Sequence, residues 1–331
     1  MKETTEHPPE GDGLIFAVVL DGEGGAVDLD WEGLRRWSPA DGYLWAHLDY
    51  RAPGVSEWLS TGVGLDKASI GALCADATRP RARARDEALL LNLRAINPLK
   101  RADPDEMVSL RVWMDGERAV SLRHRRLGVP LELRQELQEG RGPRGASSLL
   151  AELCGGVLDP VSDLVTGIGD EADGIEEQVL VAEGYELRAQ IGDLRRRAIG
   201  LRRFLAPQRD ALGHLDALPV HWLEDEDRLM LREYGDRVLR FVEELDAARD
   251  RAAVTQEELS ARLSESMNRT MYVLSIVTAI FLPLGLLTGL LGINVGGMPG
   301  VESETAFETV CVLMLLMALV LWLLFRRKRL I

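Results

Sequence analysis

The sequence predicts an α+β membrane protein: an N-terminal α/β domain, a long helical stalk and two transmembrane helices. Three observations carry that prediction. Arg269 and Glu302 bracket 32 residues without a charge, and a second apolar run follows from Thr309 to Phe325; about 20 apolar residues suffice to cross a bilayer as a helix. Before Arg125, short β-rich runs alternate with Asp-Gly turns and short helical stretches. Between Pro219 and Pro283 no proline interrupts a strongly helical pattern.

Residues 1–13 read as a disordered polar arm. Residues 14–145 read as an α/β domain, with strands at Leu14–Leu20, Tyr43–Leu48, Ala88–Ala95, Met107–Met114 and Ala119–Leu122. Helices are expected at Trp31–Trp37, Val55–Ser60 and Leu65–Ala75, so hairpins and helical crossovers together predict a mixed sheet. A Gly/Pro-rich break at Gly140–Gly145 opens a helical stalk, 146–269. Its first helix starts at Ala146–Leu153. Asp159 reads as the N-cap of a second, with Pro160 in the first helical position, ending near Ala182 before Gly184. That helix is acidic (Asp163, Asp170, Glu171, Asp173), and the next, Tyr185 to about Asp216, is arginine-rich (Arg195, Arg196, Arg197, Arg202), which predicts an antiparallel hairpin with ion-paired flanks.

From about Glu224 to Leu291 the simplest reading is one continuous helix, on the order of 100 Å long at 1.5 Å per residue. Tyr234, Val238, Phe241, Leu245, Ala248, Ala252, Thr255 and Leu259 alternate spacings of four and three, a heptad-like seam. A rod of this length is not expected to bury that seam on its own chain, which predicts assembly of several copies about an axis. Residues 270–291 are the first span, 292–305 an outer loop, 306–325 the second span and 326–331 a basic tail.

The net charge of −14 argues against nucleic-acid binding, which needs a basic face. Cys74, Cys154 and Cys311 are odd in number and widely spaced, and the five histidines have no ligand spacing, so neither a disulfide framework nor a zinc cluster is indicated. No P-loop, GxGxxG, HExxH or nucleophile-elbow motif is present, so no enzyme activity is expected and no nucleotide site to drive transport by hydrolysis. The polar N-terminus lacks the apolar core of a signal peptide. Arg262 and Arg269 precede the first span and Arg326–Arg329 follow the second, while the loop between carries only Glu302, Glu304 and Glu308 as charges. The positive-inside rule then places both termini in the cytoplasm, with the tail touching anionic lipid.

One face of the first span runs Ser264, Asn268, Met271, Ser275, Thr278, Leu282, Gly285 and Gly289, small or hydroxylic over most of its length. In lipid, such residues gather at helix–helix contacts or beside water. The stripe runs into Gly292-Ile293-Asn294, where a helix end, flexible Gly296 and Gly297 and a side-chain amide coincide, and that favours a pore mouth.

Gly292-Ile293-Asn294, following Tyr272-Val273-Leu274 and Phe281-Leu282-Pro283-Leu284, resembles the CorA family of divalent metal ion transporters, where Gly-Met-Asn is usual. The run from Gly292 to Gly300 is similar to the ZntB zinc-transporter branch. Thr78-Arg79-Pro80-Arg81, Leu201 to Arg209 and Val242 to Asp246 extend the resemblance over nearly the whole chain. It implies a homopentameric funnel in a bacterial inner membrane, with the first span lining the pore and Asn294 ringing its outer mouth. Asn268, Met271, Leu274, Ser275, Thr278 and Leu282 would lie along the conduit, with Met271 and Leu282 as apolar constrictions. Mg²⁺ sheds water reluctantly and Zn²⁺ prefers nitrogen or sulfur ligands, so an uncharged conduit is expected to pass a hydrated ion. Glu302 and Glu304 would form an outer acidic collar. Glu233 and Asp236 stand where family members hold a regulatory acid, although solvated acids on a long helix give the same pattern. Three functions stay open on the sequence: Zn²⁺ uptake coupled to protons, a passive Mg²⁺/Co²⁺/Ni²⁺ channel closed by cytosolic metal, and a non-conducting membrane-anchored scaffold.

Overall fold

The computed structural model describes residues 13–75, 79–96, 107–181, 185–293 and 303–327. The expected arm therefore lies, but for Gly13, outside the described residues. The chain divides into two compact units, Met1–Gln256 and Glu257–Ile331.

The first unit holds a seven-stranded sheet ordered β2-β1-β3-β7-β6-β5-β4. Its strands are β1 (Leu14–Leu20), β2 (Ala26–Leu29), β3 (Tyr43–Asp49), β4 (Arg81–Arg85), β5 (Ala88–Ala95), β6 (Val108–Met114) and β7 (Arg118–Arg123). β3 and β7 pair in parallel and every other neighbouring pair is antiparallel, so the expected mixed sheet is present. The two outermost strands, β2 and β4, are not among those the sequence predicts. β2 is four residues and partly exposed, and β4 reads RARAR. Short or charged edges present little apolar periodicity, and they also discourage pairing with other chains.

Helices α1 (Trp31–Arg36), α2 (Val55–Thr61) and α3 (Lys67–Cys74) cover one sheet face. Their Leu34, Val55, Leu59 and Leu73 meet Ala46, Leu48, Val120 and Leu122 in one core. Asp30 caps α1 and Asp66 caps α3, each accepting a backbone N–H three residues on. The C-terminal carbonyls of α3 are held from the sheet: Arg81 donates to Ala72 O (3.2 Å) and buried Arg111 to Leu73 O (2.6 Å). On the opposite face, β5 packs against α5 (Ala146–Val181) and α6 (Tyr185–Leu212), and α4 (Val129–Gln138) packs on α5.

Helix α5 corrects one expectation. Asp159 and Pro160 do not start a helix; α5 runs through Pro160 without a break. The proline ring meets the carbonyl four residues back, on Gly156, where no side chain adds to the crowding. Val157, Leu158 and Val161 around it are fully buried, so packing holds the turn together. Asp159 instead accepts from Arg237 at 2.7 Å.

The expected long helix is present as α7, Asp225–Leu291. Its seam, however, does not wait for other copies. Val238, Phe241, Leu245, Ala248, Ala252 and Thr255 are all buried within the single chain. The α5–α6 hairpin supplies the cover: Arg237 pairs with Asp159, Arg251 with Asp173, and Arg202 of α6 with Asp246 at 2.7 Å. A heptad seam requires a partner helix, and the nearest two were upstream in the same sequence. The hairpin's own flank is joined by Arg197 and Glu171, as the charge pattern predicted.

Candidate functional site

The second unit consists of the span half of α7, from Glu257, and α8 (Ala306–Arg327). No residue of either apolar window is buried by the chain itself. Water disfavours such a surface by roughly 25 cal/mol per Å² of apolar area, so lipid or further copies must cover it. At the far end of α8, the Arg326 guanidinium lies over the Trp322 ring at 5.2 Å, an amphipathic pair of the kind that anchors spans at an interface.

Asn268, Met271, Ser275, Thr278, Leu282, Gly285 and Gly289 step by three and four along an unbroken helix, so they share one face, with Leu274 at its edge. All eight are exposed in the single chain. The Ser275 hydroxyl donates to Met271 O and the Thr278 hydroxyl to Leu274 O, both at 2.8 Å. Each proton is thus spent on the helix, and the oxygen offers only lone pairs outward. Acceptor oxygens suit a cation or the water hydrogens of its shell. Leu274, Ser275, Thr278, Ala279, Leu282 and Pro283 line a shallow groove on this face. No charged residue interrupts it from Thr270 to Gly292.

Helix α7 ends at Leu291, and Gly292 N donates to Thr288 O at 2.9 Å, closing the last turn. A side chain at Gly292 would approach that carbonyl to 3.1 Å, so glycine suits the turn. The last carbonyls of the helix carry partial negative charge, favourable to a cation near this end. Ile293 is exposed beyond it. Asn294, Gly296, Gly297, Glu302 and the tail from Lys328 lie outside the described residues. Glu304 is exposed in the turn before α8.

On the stalk half of α7, Glu233 and Asp236 are exposed, and Glu233 pairs with Arg240 at 3.0 Å. Among the described residues no three His, Cys, Asp or Glu side chains are grouped to hold a metal. His47 is a core residue: its Nδ1 meets Ser121 Oγ at 2.8 Å, and burial lowers its pKa to about 3. Cys154 is buried and its thiol pushed up by desolvation, while Cys74 is partly buried.

Two polar groups escaped sequence reasoning. Gln208, fully buried on α6, accepts from Arg94 N of β5 at 2.7 Å and so ties the hairpin to the sheet. Its place in the Leu201–Arg209 motif was visible, but its partner, 114 residues away, was not. Glu152 on α5 has its pKa raised to about 7, chiefly by desolvation and then by Glu136 and Asp227. No spacing in the sequence brings those three carboxylates together.

A family model described as "CorA-like Mg2+ transporter protein" matches residues 40–327. A Pseudomonas aeruginosa protein described as a divalent cation transporter, CmaX, is 40% identical over 321 residues, 96% of each chain. A Yersinia enterocolitica protein described as a zinc transport protein, ZntB, is 32% identical over 305 residues, 92% of each chain. The full-length CmaX structure superposes with a TM-score of 0.84 at 39% identity, covering 97% of this chain and 99% of that one.

Proposed function

Because the chain belongs to the CorA-like Mg²⁺ transporter family, whose work is divalent-cation transport, we propose that it carries Zn²⁺ into the bacterial cytoplasm through a homopentameric pore, driven by a proton gradient. The span half of α7 lines the pore in this reading, α8 faces lipid, and Asn294 rings the outer mouth with side-chain amide oxygens. Both termini lie in the cytoplasm, beside Arg262, Arg269, Arg326 and Arg327.

The observation that carries the reading is the exposed, uncharged face of α7, on which Ser275 and Thr278 turn only acceptor oxygen outward. A hydrated divalent ion needs such a surface. Stripping the shell would need acidic or soft ligands in the conduit, and none stands between Asn268 and Gly289 except the Met271 thioether. Met271 and Leu282, 63% and 68% exposed, would narrow the conduit and gate it by drying. The relatives described as zinc transport proteins support the choice of metal. A passive Mg²⁺/Co²⁺/Ni²⁺ channel is the second reading, favoured by the absence of any acid or histidine between Thr270 and Val301 to relay protons.

Zn²⁺ uptake by liposomes carrying the purified protein, with and without a pH gradient, tests the proposal. Gradient-driven uptake is expected, and Asn294→Ala should abolish most of it while the assembled particle keeps its mass. Uptake indifferent to the gradient removes the coupling, and full uptake by Asn294→Ala contradicts the amide ring.

A further inference from the structure

Three carboxylates carried by three helices meet at the base of α7. Burial, then Glu136 of α4, then Asp227 in the first turn of α7 raise the Glu152 pKa, so both charges acting on that carboxyl are negative. Glu152 Oε2 is buried and has no hydrogen-bond partner among the described residues. Tyr234 of α7 and Cys154 of α5, both raised by burial, are the neighbouring titratable groups. An anion held there without a donor is costly, and two more anions beside it add to the cost. A proton on Glu152 removes most of it.

The surrounding contacts decide what gives way. At residues 234–235 α7 is wedged in place. A Cβ on Gly155 of α5 would come to 2.6 Å from the Tyr234 hydroxyl, and one on Gly235 to 3.3 Å from Gly213 Cα, just past the end of α6. Beyond that crossing the seam from Val238 to Leu259 is buried. Before it, Glu224 N donates to Ser147 Oγ of α5 at 2.9 Å, and Arg228 donates to the carbonyls of Asp216, Leu218 and Val220 at 2.6, 3.0 and 2.8 Å. The same linker reaches the sheet: Trp222 Nε1 donates to Glu87 O at 2.7 Å, the Trp222 side chain lies against Gly116 in the β6–β7 turn, and His221 pairs with Glu87. The first turns of α7 are thus the joint between the α/β domain and a helix that continues unbroken to Leu291.

We propose that this joint is a proton-operated switch: with Glu152 protonated the base of α7 seats against α4 and α5, and with Glu152 ionised Glu136 and Asp227 repel it and Asp225–Leu231 loosens below the fixed crossing. The α/β domain then holds the pore helix differently in the two states, so the pH around the domain sets the rate of transport. That last step rests on the pore reading above; the change at the joint does not. The joint also supplies a group titrating near neutrality, which the stretch from Thr270 to Val301 lacks.

Two measurements on the full-length protein test it, each comparing the wild type with Glu152→Gln at the same pH. Amide exchange across Asp225–Leu231 should nearly match at about pH 6 and run about fivefold faster in the wild type at about pH 8, where the carboxyl is mostly ionised. Zn²⁺ flux into liposomes is driven by the Zn²⁺ gradient alone, with equal pH on both faces. The ratio of wild-type to variant flux should be close to one at the lower pH and depart from it about threefold at the higher. Glu136→Gln leaves Glu152 able to titrate and should move the midpoint of both effects to lower pH; it reads the joint should Glu152→Gln fail to assemble. Equal exchange in the two proteins at the higher pH overturns the switch, and a pH response that Glu152→Gln keeps in full assigns it to another group, such as His221. Faster exchange with an unchanged flux ratio in a conducting protein overturns it too, since the joint then controls nothing. No flux in the wild type removes the pore reading, and the exchange comparison still decides the joint.

Discussion

In the stalk half of α7, Val238, Leu245 and Ala252 are at most 3% exposed, whereas Met271, Leu282 and Leu286 in the span half are each at least 63% exposed. Both halves carry apolar residues at helical spacing. The stalk half finds its cover in the α5–α6 hairpin of the same chain; the span half finds none among the described residues. One helix thus combines a segment covered by its own chain with one whose apolar surface is left for lipid or further copies to cover. Apolar periodicity alone reports that a face must be covered and is silent about what covers it.

The contrast predicts unequal costs for the same substitution. Leu245→Ala opens a cavity in a closed interface and should cost about 3 kcal/mol, lowering the midpoint of thermal unfolding by many degrees. Leu315→Ala, on α8 where the side chain is 71% exposed, should change the midpoint by less than a quarter as much, because lipid replaces the lost contacts. Equal losses would break the distinction between the two regions.

A smaller effect sharpens the stalk side. Glu152 has a folded pKa raised to about 7, so the native state holds its proton where the unfolded chain releases it. The stabilising contribution of that proton is complete below about pH 4.5 and is lost as pH rises to about 7. Glu152→Gln should therefore match the wild type near pH 4.5 and exceed its stability at pH 8, by about 1 kcal/mol once the half-exposure of the side chain is allowed for. Unfolding curves at the two pH values decide it; a constant difference would mean that neither burial nor Glu136 and Asp227 raise the Glu152 pKa. Smallest is the ion pair of Arg251 with Asp173, both partly exposed, where Arg251→Ala should cost about 0.5 kcal/mol or less and the cost should shrink further in high salt.

The sequence made the spans, the five inner strands and the start and end of α7 readable, because each is a run of apolar residues with a clean period. It left β2, β4 and α4 unread, since a four-residue edge, an RARAR strand and a short helix with a proline near its start carry little periodic signal. Pro160 misled because a local rule about helix starts was outweighed by the buried packing around it. For the candidate site, the polar stripe was legible from helical spacing alone. Where the Ser275 and Thr278 protons go, and which residues share a groove with Pro283, depended on backbone geometry that spacing does not contain.

A conducting α7 stripe must be reached by water while the outer face of α8 is not, and cysteine accessibility measures that directly. With Cys74 and Cys311 replaced by serine, Ser275→Cys and Leu315→Cys are each exposed to a membrane-impermeant thiol reagent in the assembled protein in lipid. The prediction is rapid labelling at position 275, slowed by added Zn²⁺, and none at position 315. Protection of position 275 to the same degree as position 315, with or without metal, would mean that the stripe meets a dry helix contact and that no ion passes along it.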